Sequence, residues 1–402
     1  MTEGVAPESA IMWNLSAQVS HFESTSISNY GNSVIPLEMS VRDHPQHKAA
    51  MMIIRYVLPI IVFGGTVGNV LSFVVLMRQR MRNTSVYFYL AMLACADTCV
   101  LYLSGFKTWV RVTTGFEMLH VSWVSCKTVM FIFMVTAHLS AWLVVAMTAD
   151  RFVIVWCPLR VPLFCDVYRA RVVTLLMTLA LCLYKLHLFW TIDLLQVKGR
   201  SKCAARSSSY FMVSVYPLLK LASYTIVPFV IVLILNTLIT YKLWRNRKAF
   251  QTMLRRNRDH PSHKSTQYRV TVMLLTVSCV WLLLTAPFTL RSLMDNVKVI
   301  RSSHDKASHF LAKTICFMLM YLNHGINFIL YCITGNKFRS ELSNAFTLRQ
   351  RPLRRDISLR TCTTTKSSRL QVILVTDAEQ RTRSKPVLKR TMSPWDLANG
   401  QN

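Results

Sequence analysis

Asp97 is a carboxylate set in an apolar run, Leu93-Ala94-Cys95-Ala96-Asp97, and Asn69, Ser140, Asn323 and Asn327 are amides and a hydroxyl in similar surroundings. A polar or ionisable group in such a setting is costly to bury and marks function by default. Asp150-Arg151-Phe152 closes another apolar run. A guanidinium is planar and permanently charged, so Arg151 can hold the neighbouring carboxylate; otherwise it is an ordinary arginine reaching to an interface. His138 reads as a polar packing residue. The eleven cysteines show no CxxC or Cys/His spacing, which argues against zinc. No phosphate-binding loop, kinase signature or hydrolase constellation is present. These residues suit binding and switching rather than turnover, so no catalytic residue is expected.

The elements that hold them must be membrane-spanning. Of 402 residues, 52% are hydrophobic and only 16% charged, whereas soluble domains carry about a quarter charged residues. The apolar residues gather into blocks at 51–77, 84–107, 126–156, 170–192, 211–241, 270–293 and 310–334. Each approaches or exceeds the roughly 20 residues needed to cross hydrocarbon. An all-α membrane protein follows, a seven-transmembrane helix bundle over 51–335. Pro59, Pro228 and Pro287 fall inside spans, where neighbours satisfy the freed carbonyls. A soluble enzyme is excluded. Residues 1–50 lack the basic region and apolar core of a cleaved leader, so the first span is expected to act as a signal anchor.

Charge sets the expected orientation. Residues 1–50 carry Glu3, Glu8, Glu23, Glu38 and Asp43, whereas 336–402 carry fourteen bases against five acids, and 242–269 nine bases against Asp259. Bases collect on the cytoplasmic side, where anionic lipid also attracts them. The net charge of +29 is therefore a membrane-topology signal, not a nucleic-acid site. The run Lys198, Arg200, Lys202 and Arg206 on the opposite side weakens the contrast. The N-terminus is expected outside and the C-terminus inside, at the plasma membrane. Asn14-Leu15-Ser16 is a glycosylation sequon that fits this reading. In this topology only Cys126 and Cys203 face the oxidising side. A disulfide between them would tie the loop after span four over the bundle mouth; the alternative is two free thiols. Residues 337–349 place Phe338, Leu342, Ala345 and Phe346 on one helical stripe, an interfacial amphipathic helix in contact with lipid. The tail 350–402, rich in Arg, Ser and Thr, is expected to be disordered.

Gly68-Asn69 in span one, Asp97 in span two, Cys126 and Asp150-Arg151-Phe152 in span three, Cys203, Pro228 in span five and Asn327-Phe328-Ile329-Leu330-Tyr331 in span seven form an ordered set. Together they resemble the rhodopsin-like G-protein-coupled receptors over about 51–349. With Ser104-Gly105-Phe106-Lys107 and Phe338-Arg339, the chain is similar to invertebrate neuropeptide receptors of the FMRFamide and thyrotropin-releasing-hormone-like group. It departs from the family pattern where DRY reads Asp150-Arg151-Phe152 and where Phe328 replaces the NPxxY proline. Thr285 replaces the CWxP tryptophan, span four lacks its central Trp, and Gln267 stands for a common span-six acid.

The resemblance implies a receptor that activates a heterotrimeric G protein and is not an enzyme. It implies that Asp150, Arg151, Phe152, Asn327, Tyr331, Pro228 and Pro287 take part in coupling. Arg151 would turn from Asp150 toward Tyr331 and the incoming helix of the G protein. Basic residues including Arg245, Arg247, Lys248, Arg255, Arg256 and Arg258, with Pro158-Leu159, would frame that cavity; alone they read as a topology signal. It also implies a buried sodium site of Asp97, Ser140, Asn323 and Asn327 beside Asn69, since a hard cation takes oxygen ligands; the alternative is a hydrogen-bonded Asp97 with water. Ser358, Thr361, Thr363, Thr364, Thr365, Ser367 and Ser368 could carry phosphates that recruit arrestin.

The mouth is aromatic and cationic: Lys107, Trp109, Phe133, Lys220, Phe288, Arg291, Lys313, Phe317 and Tyr321. Phe133 stands where amine receptors need a carboxylate, and Tyr321 where opsins need a lysine. Aromatic ligand rings would stack on Phe133 and Phe288, and Glu117, Asp295 and Asp305 could receive a basic group. Each residue singly is as well explained by helix packing. An amidated neuropeptide with aromatic and basic residues fits the set. A lipid or other small-molecule ligand is the first alternative. A transporter is a distant one, because Asp97 alone cannot make a charged path and no inverted repeat is visible.

Overall fold

In the computed structural model, the described residues are 41–82, 84–158, 166–197, 200–205, 211, 215–246, 263–295 and 302–346. Asn14, Leu159, the bases 247–258 and the tail serines and threonines lie outside them, as do the side chains of Gln267 and Asp295.

Apolar helices dominate: α1 (Pro45–Leu76), α2 (Ser85–Thr114), α3 (Trp123–Trp156), α4 (Val167–Thr191), α5 (Tyr216–Arg245) and α6 (His263–Asp295). The seventh span, α7, runs Ser303–Gly325, bends by 52° and continues as Asn327–Thr334. A further helix, α8 (Asn336–Phe346), follows. The expected seven-helix bundle and short eighth helix are thus present. Several helices outrun their apolar stretches: α1 starts at Pro45, within the segment expected to precede the bundle, and α2 reaches Thr114. Only the part in hydrocarbon must be apolar, so hydropathy underestimates helix length. Span five instead begins at Tyr216, inside its expected range.

Local chemistry sets the ends. Ser122 and Asp166 accept hydrogen bonds from the backbone of Ser125 and Tyr168, capping α3 and α4. Gly115, at φ +74°, ends α2 in the left-handed conformation that glycine adopts without strain. Pro59 and Pro228 each follow a wide π turn, Ile53–Val57 and Ala222–Ile226. Proline removes one backbone donor and crowds the preceding turn, and a π turn locally relaxes the helical repeat. Between α4 and α5, β1 (Ile192–Val197) and β2 (Arg200–Ala205) pair antiparallel, Leu194 opposite Cys203. This hairpin adds a small sheet to the all-α expectation.

Two buried apolar clusters fill the bundle. One, around Phe133, Tyr216, Phe288, Phe317 and Tyr321, lies at the hairpin end; the other, around Tyr87, Met147, Trp281, Tyr331 and Phe338, lies toward the opposite end. Asp97, Ser140 and His324 sit in sequence between residues of the two clusters and form a polar layer where they meet. Ile60, Leu183 and Leu283 are among many large apolar side chains that face outward, as lipid contact requires.

Candidate functional site

Asp97 on α2 is 1% exposed and accepts three hydrogen bonds. Oδ1 accepts from the Ser140 hydroxyl at 2.6 Å and meets His324 Nδ1 at 2.7 Å. Oδ2 accepts from the Asn327 amide at 2.8 Å. With an ionised carboxylate, which only accepts, the imidazole N–H must be the donor. Asn69 donates to the backbone carbonyl of His324 at 3.0 Å. The α7 bend disturbs the helical ladder at this point, and Asn69 takes up that carbonyl. Gly65 and Gly325 let the backbones meet there: a Cβ built on Gly65 would lie 2.7 Å from Gly325 Cα.

Ser140 and Asn327 therefore reach Asp97 as expected, but as donors, and Asn323 makes no hydrogen bond to it among the described residues. His324, which the sequence reading passed over, occupies the face where a cation would need open oxygen lone pairs. The expected set of Asp97, Ser140, Asn323 and Asn327 does not fit a sodium ion held on this carboxylate. A cavity of about 20 Å³ adjoins His324 and Asn323 and is lined further by Tyr224, Trp281, Thr285 and Phe288. That is room for water rather than ligand. Thr285 donates back to the carbonyl of Trp281 at 2.7 Å. The aromatic group missing from position 285 thus stands one turn away, as Trp281 on the same cavity.

Toward the end of the bundle away from the disulfide, Arg151 is 2% exposed and donates to Asp150 at 2.7 Å. Ser85, on α2, donates to the same Asp150 oxygen at 3.1 Å. Tyr331 is buried and packs edge-on against Phe338 of α8 at 5.5 Å. Phe152 stacks on Trp156 at 5.8 Å. Glu341 of α8 is drawn to Arg78 and Arg80 after α1, at 3.7 and 3.6 Å.

At the other end, Cys126 and Cys203 form the disulfide, tying β2 to the start of α3. Phe288, Phe317 and Tyr321 form an aromatic series with ring centroids 5.4 and 6.2 Å apart. Tyr321 is within 2.7 Å of the Ser104 hydroxyl. Phe133, Lys107, Lys220 and Lys313 are buried nearby or along the same end, and Arg291 is half-buried on α6. Trp109 departs from the expected set: its indole donates to the Arg55 carbonyl at 3.1 Å and its ring packs on Phe63 and Phe106. It fastens α2 to α1. Glu117 is engaged by Arg111 at 2.9 Å through one carboxylate oxygen, whereas Asp305 is exposed beside His304 and stays open to a basic group.

The sequence reading also missed Lys185 of α4, which is buried against Tyr184 with its Nζ 3.9 Å from the ring centroid. A lysine inside an apolar span is itself a signal. His138 is satisfied, by the Met134 carbonyl at 2.8 Å and Ser223 at 3.4 Å. Outside the spans the cationic field persists. Burial, then the neighbouring Arg111 guanidinium, pushes the Lys202 ammonium below the usual lysine range. Burial also lowers His120; Glu117 opposes this, and Arg111, Lys107 and Lys202 reinforce it.

The amino-acid sequence is similar to those of known proteins. The family described as 7 transmembrane receptor (rhodopsin family) matches residues 68–331. The thyrotropin-releasing hormone receptor of Mus musculus is 25% identical over 338 residues, covering 77% of this chain and 83% of that one. The Homo sapiens protein of the same name is 25% identical over 328 residues, 75% and 79%. The FMRFamide receptor of Drosophila melanogaster is 25% identical over 292 residues, 68% of this chain and half of that one.

Proposed function

Because the chain belongs to the rhodopsin family of seven-transmembrane receptors, within its neuropeptide-receptor group, we propose that it binds an extracellular peptide and in response activates a heterotrimeric G protein. It is a multi-pass membrane receptor and not an enzyme; nucleotide exchange would occur on the partner. The observation that carries the reading is the separation of two polar centres along one bundle: a cationic, aromatic cluster at the end that carries the Cys126–Cys203 tie, and a buried Arg151–Asp150 pair near the other end. The names of its relatives favour a peptide ligand.

In this reading the cluster faces outward at the plasma membrane and comprises Lys107, Phe133, Lys220, Phe288, Arg291, Phe317 and Tyr321. The peptide binds the active packing more tightly and so shifts the population toward it. Arg151 leaves Asp150, turns toward Tyr331, and with Phe152 forms the seat of the G protein. Movement of α5 and α6 about Pro228 and Pro287 opens that seat, and Asn327 exchanges partners at the α7 bend. Arrestin would engage the phosphorylated tail, Asn14 would carry glycan, and α8 would lie at the lipid surface. No sodium ion enters the mechanism.

The test is a calcium and cyclic-AMP readout in cells expressing the full chain, screened against neuropeptides, amines and lipids. A saturable peptide response, lost in Arg151→Ala at equal surface expression, is expected. A normal response from Arg151→Ala would overturn the coupling mechanism, and a response to lipids alone would overturn the ligand class.

A further inference from the structure

Lys185, Lys220 and His187 approach one phenol ring, that of Tyr216, at the α4–α5 contact. Lys185 is 0% exposed, and its Nζ lies 3.9 Å from the Tyr184 ring centroid and 5.3 Å from that of Tyr216. Lys220, 7% exposed, reaches the same Tyr216 ring from α5, with Nζ at 5.6 Å. His187 meets Tyr216 edge-on at 4.7 Å. Lys313 of α7 is within electrostatic reach of Lys220. Two buried lysines thus approach one aromatic ring, with a third nearby.

The polar atoms here are incompletely matched. Lys185 Nζ, the Tyr216 hydroxyl and His187 Nε2 are all buried without a hydrogen-bond partner. His187 Nδ1 faces the Tyr184 carbonyl at 2.9 Å and so carries the proton there, leaving Nε2 an unpaired acceptor. Cation–π contact offsets only part of the cost of drying an ammonium. Among the described residues, four acids are engaged elsewhere: Asp97 by Ser140, His324 and Asn327, Asp150 by Arg151, Glu117 by Arg111, and Asp193 by Lys127. None of the ion pairs among the described residues includes Lys185. Two donors, Lys185 Nζ and the Tyr216 hydroxyl, are thus buried on neighbouring residues without a partner, and what they lack is an anion.

We propose that the peptide ligand carries an acidic group, a carboxylate or a sulfate ester, that docks between α4 and α5 on Lys185, Lys220 and Tyr216. The proposal rests on the peptide-receptor reading and gives that ligand its charge. Burial makes the site selective: a charge-assisted bond away from water is about twice as strong as a neutral one, and a neutral analogue leaves the ammonium unsatisfied.

The experiment screens the full-length receptor against peptides in matched pairs, Glu against Gln, sulfotyrosine against tyrosine, and free C-terminal acid against amide. The acidic member of the active pair should be at least tenfold more potent. Lys185→Gln should reduce that preference to within about twofold, and Lys185→Arg should keep most of it, surface expression being matched. Peptide responses indifferent to acidity would overturn the proposal and leave the peptide reading standing. A response only to an acidic lipid or small organic acid would overturn both. A ligand-free measurement stands beside these: purified Lys185→Met should melt no lower than the unsubstituted receptor, because the buried ammonium has no hydrogen-bond partner to lose and methionine keeps the contact with the rings. A clearly lower Tm would show that the free protein already satisfies Lys185, and would overturn the proposal.

Discussion

At the scale of single residues, the balance of donors around buried acids decides behaviour. Asp97 is met by three donors at 2.6–2.8 Å, so exchanging sodium for N-methylglucamine should leave the Tm of the purified receptor unchanged. A sodium-dependent rise would refute that assignment. His324→Ala removes one of the three donors to a buried carboxylate, a hydrogen bond that contributes about 1.5–3 kcal/mol, and should lower Tm in either salt. At the other centre, Ser85 donates to the Asp150 oxygen that also holds Arg151. A hydrogen bond to a charged group contributes about 1.5–3 kcal/mol, so Ser85→Ala should weaken the resting arrangement and raise basal signalling several-fold; unchanged basal cyclic AMP and calcium would count against the role of Ser85. Asp97 and Arg151 were legible in the sequence because a charge inside an apolar run stands out. Lys185 carried the same signal, and His324 a fainter one. Their partners were not legible, because which side chains meet depends on the rotation of each helix about its axis, which spacing along one chain does not encode.

Among the elements, the positions of seven spans could be read from apolar run length, and the α3 start from Cys126 onward lay close to the helix found at Trp123. The departures have local causes. The hairpin from Ile192 to Ala205 lacks the clean alternation of a half-buried strand pair, and the basic residues of β2 suggested only a loop. The α7 bend is made without a proline: Gly325 ends the first segment, Phe328 stands in the proline's usual place, and Asn69 holds the His324 carbonyl. Close packing of α1 on α7 depends on this bend. Gly65→Ala would place a methyl 2.7 Å from Gly325 Cα and 2.9 Å from Leu101. Overpacking of this kind costs about 1–3 kcal/mol. Surface expression and Tm should both fall, whereas Gly64→Ala, with nothing within 4 Å, should behave as the unsubstituted protein. Equal loss from both would mean that helix propensity or lipid contact, not the α1–α7 approach, is responsible.

For the whole molecule, the question is how a cluster near one end can govern an ion pair near the other. The Asp97–His324 layer lies between the two apolar clusters and joins α2, α3 and α7, so repacking on one side alters the footing of the other. No through-path for the ligand is required; two packings of differing ligand affinity suffice. Moving such an equilibrium from 1:99 to 99:1 needs about 10⁴-fold tighter binding to the favoured state. Linkage makes the coupling reciprocal: whatever factor the peptide applies to G-protein affinity, the G protein applies to peptide affinity. Peptide affinity measured with and without nucleotide-free G protein should therefore differ by about tenfold or more, within the usual 1–3 kcal/mol of allosteric coupling. Arg151→Ala should bring that ratio toward one while sparing affinity in the absence of G protein. Lys185→Gln should do the reverse, weakening the peptide in both conditions by the same factor and leaving the ratio intact. If instead Lys185→Gln changed the ratio, the α4–α5 cluster would be part of the switch itself, and the division of the bundle into a recognition end and a coupling end would fail.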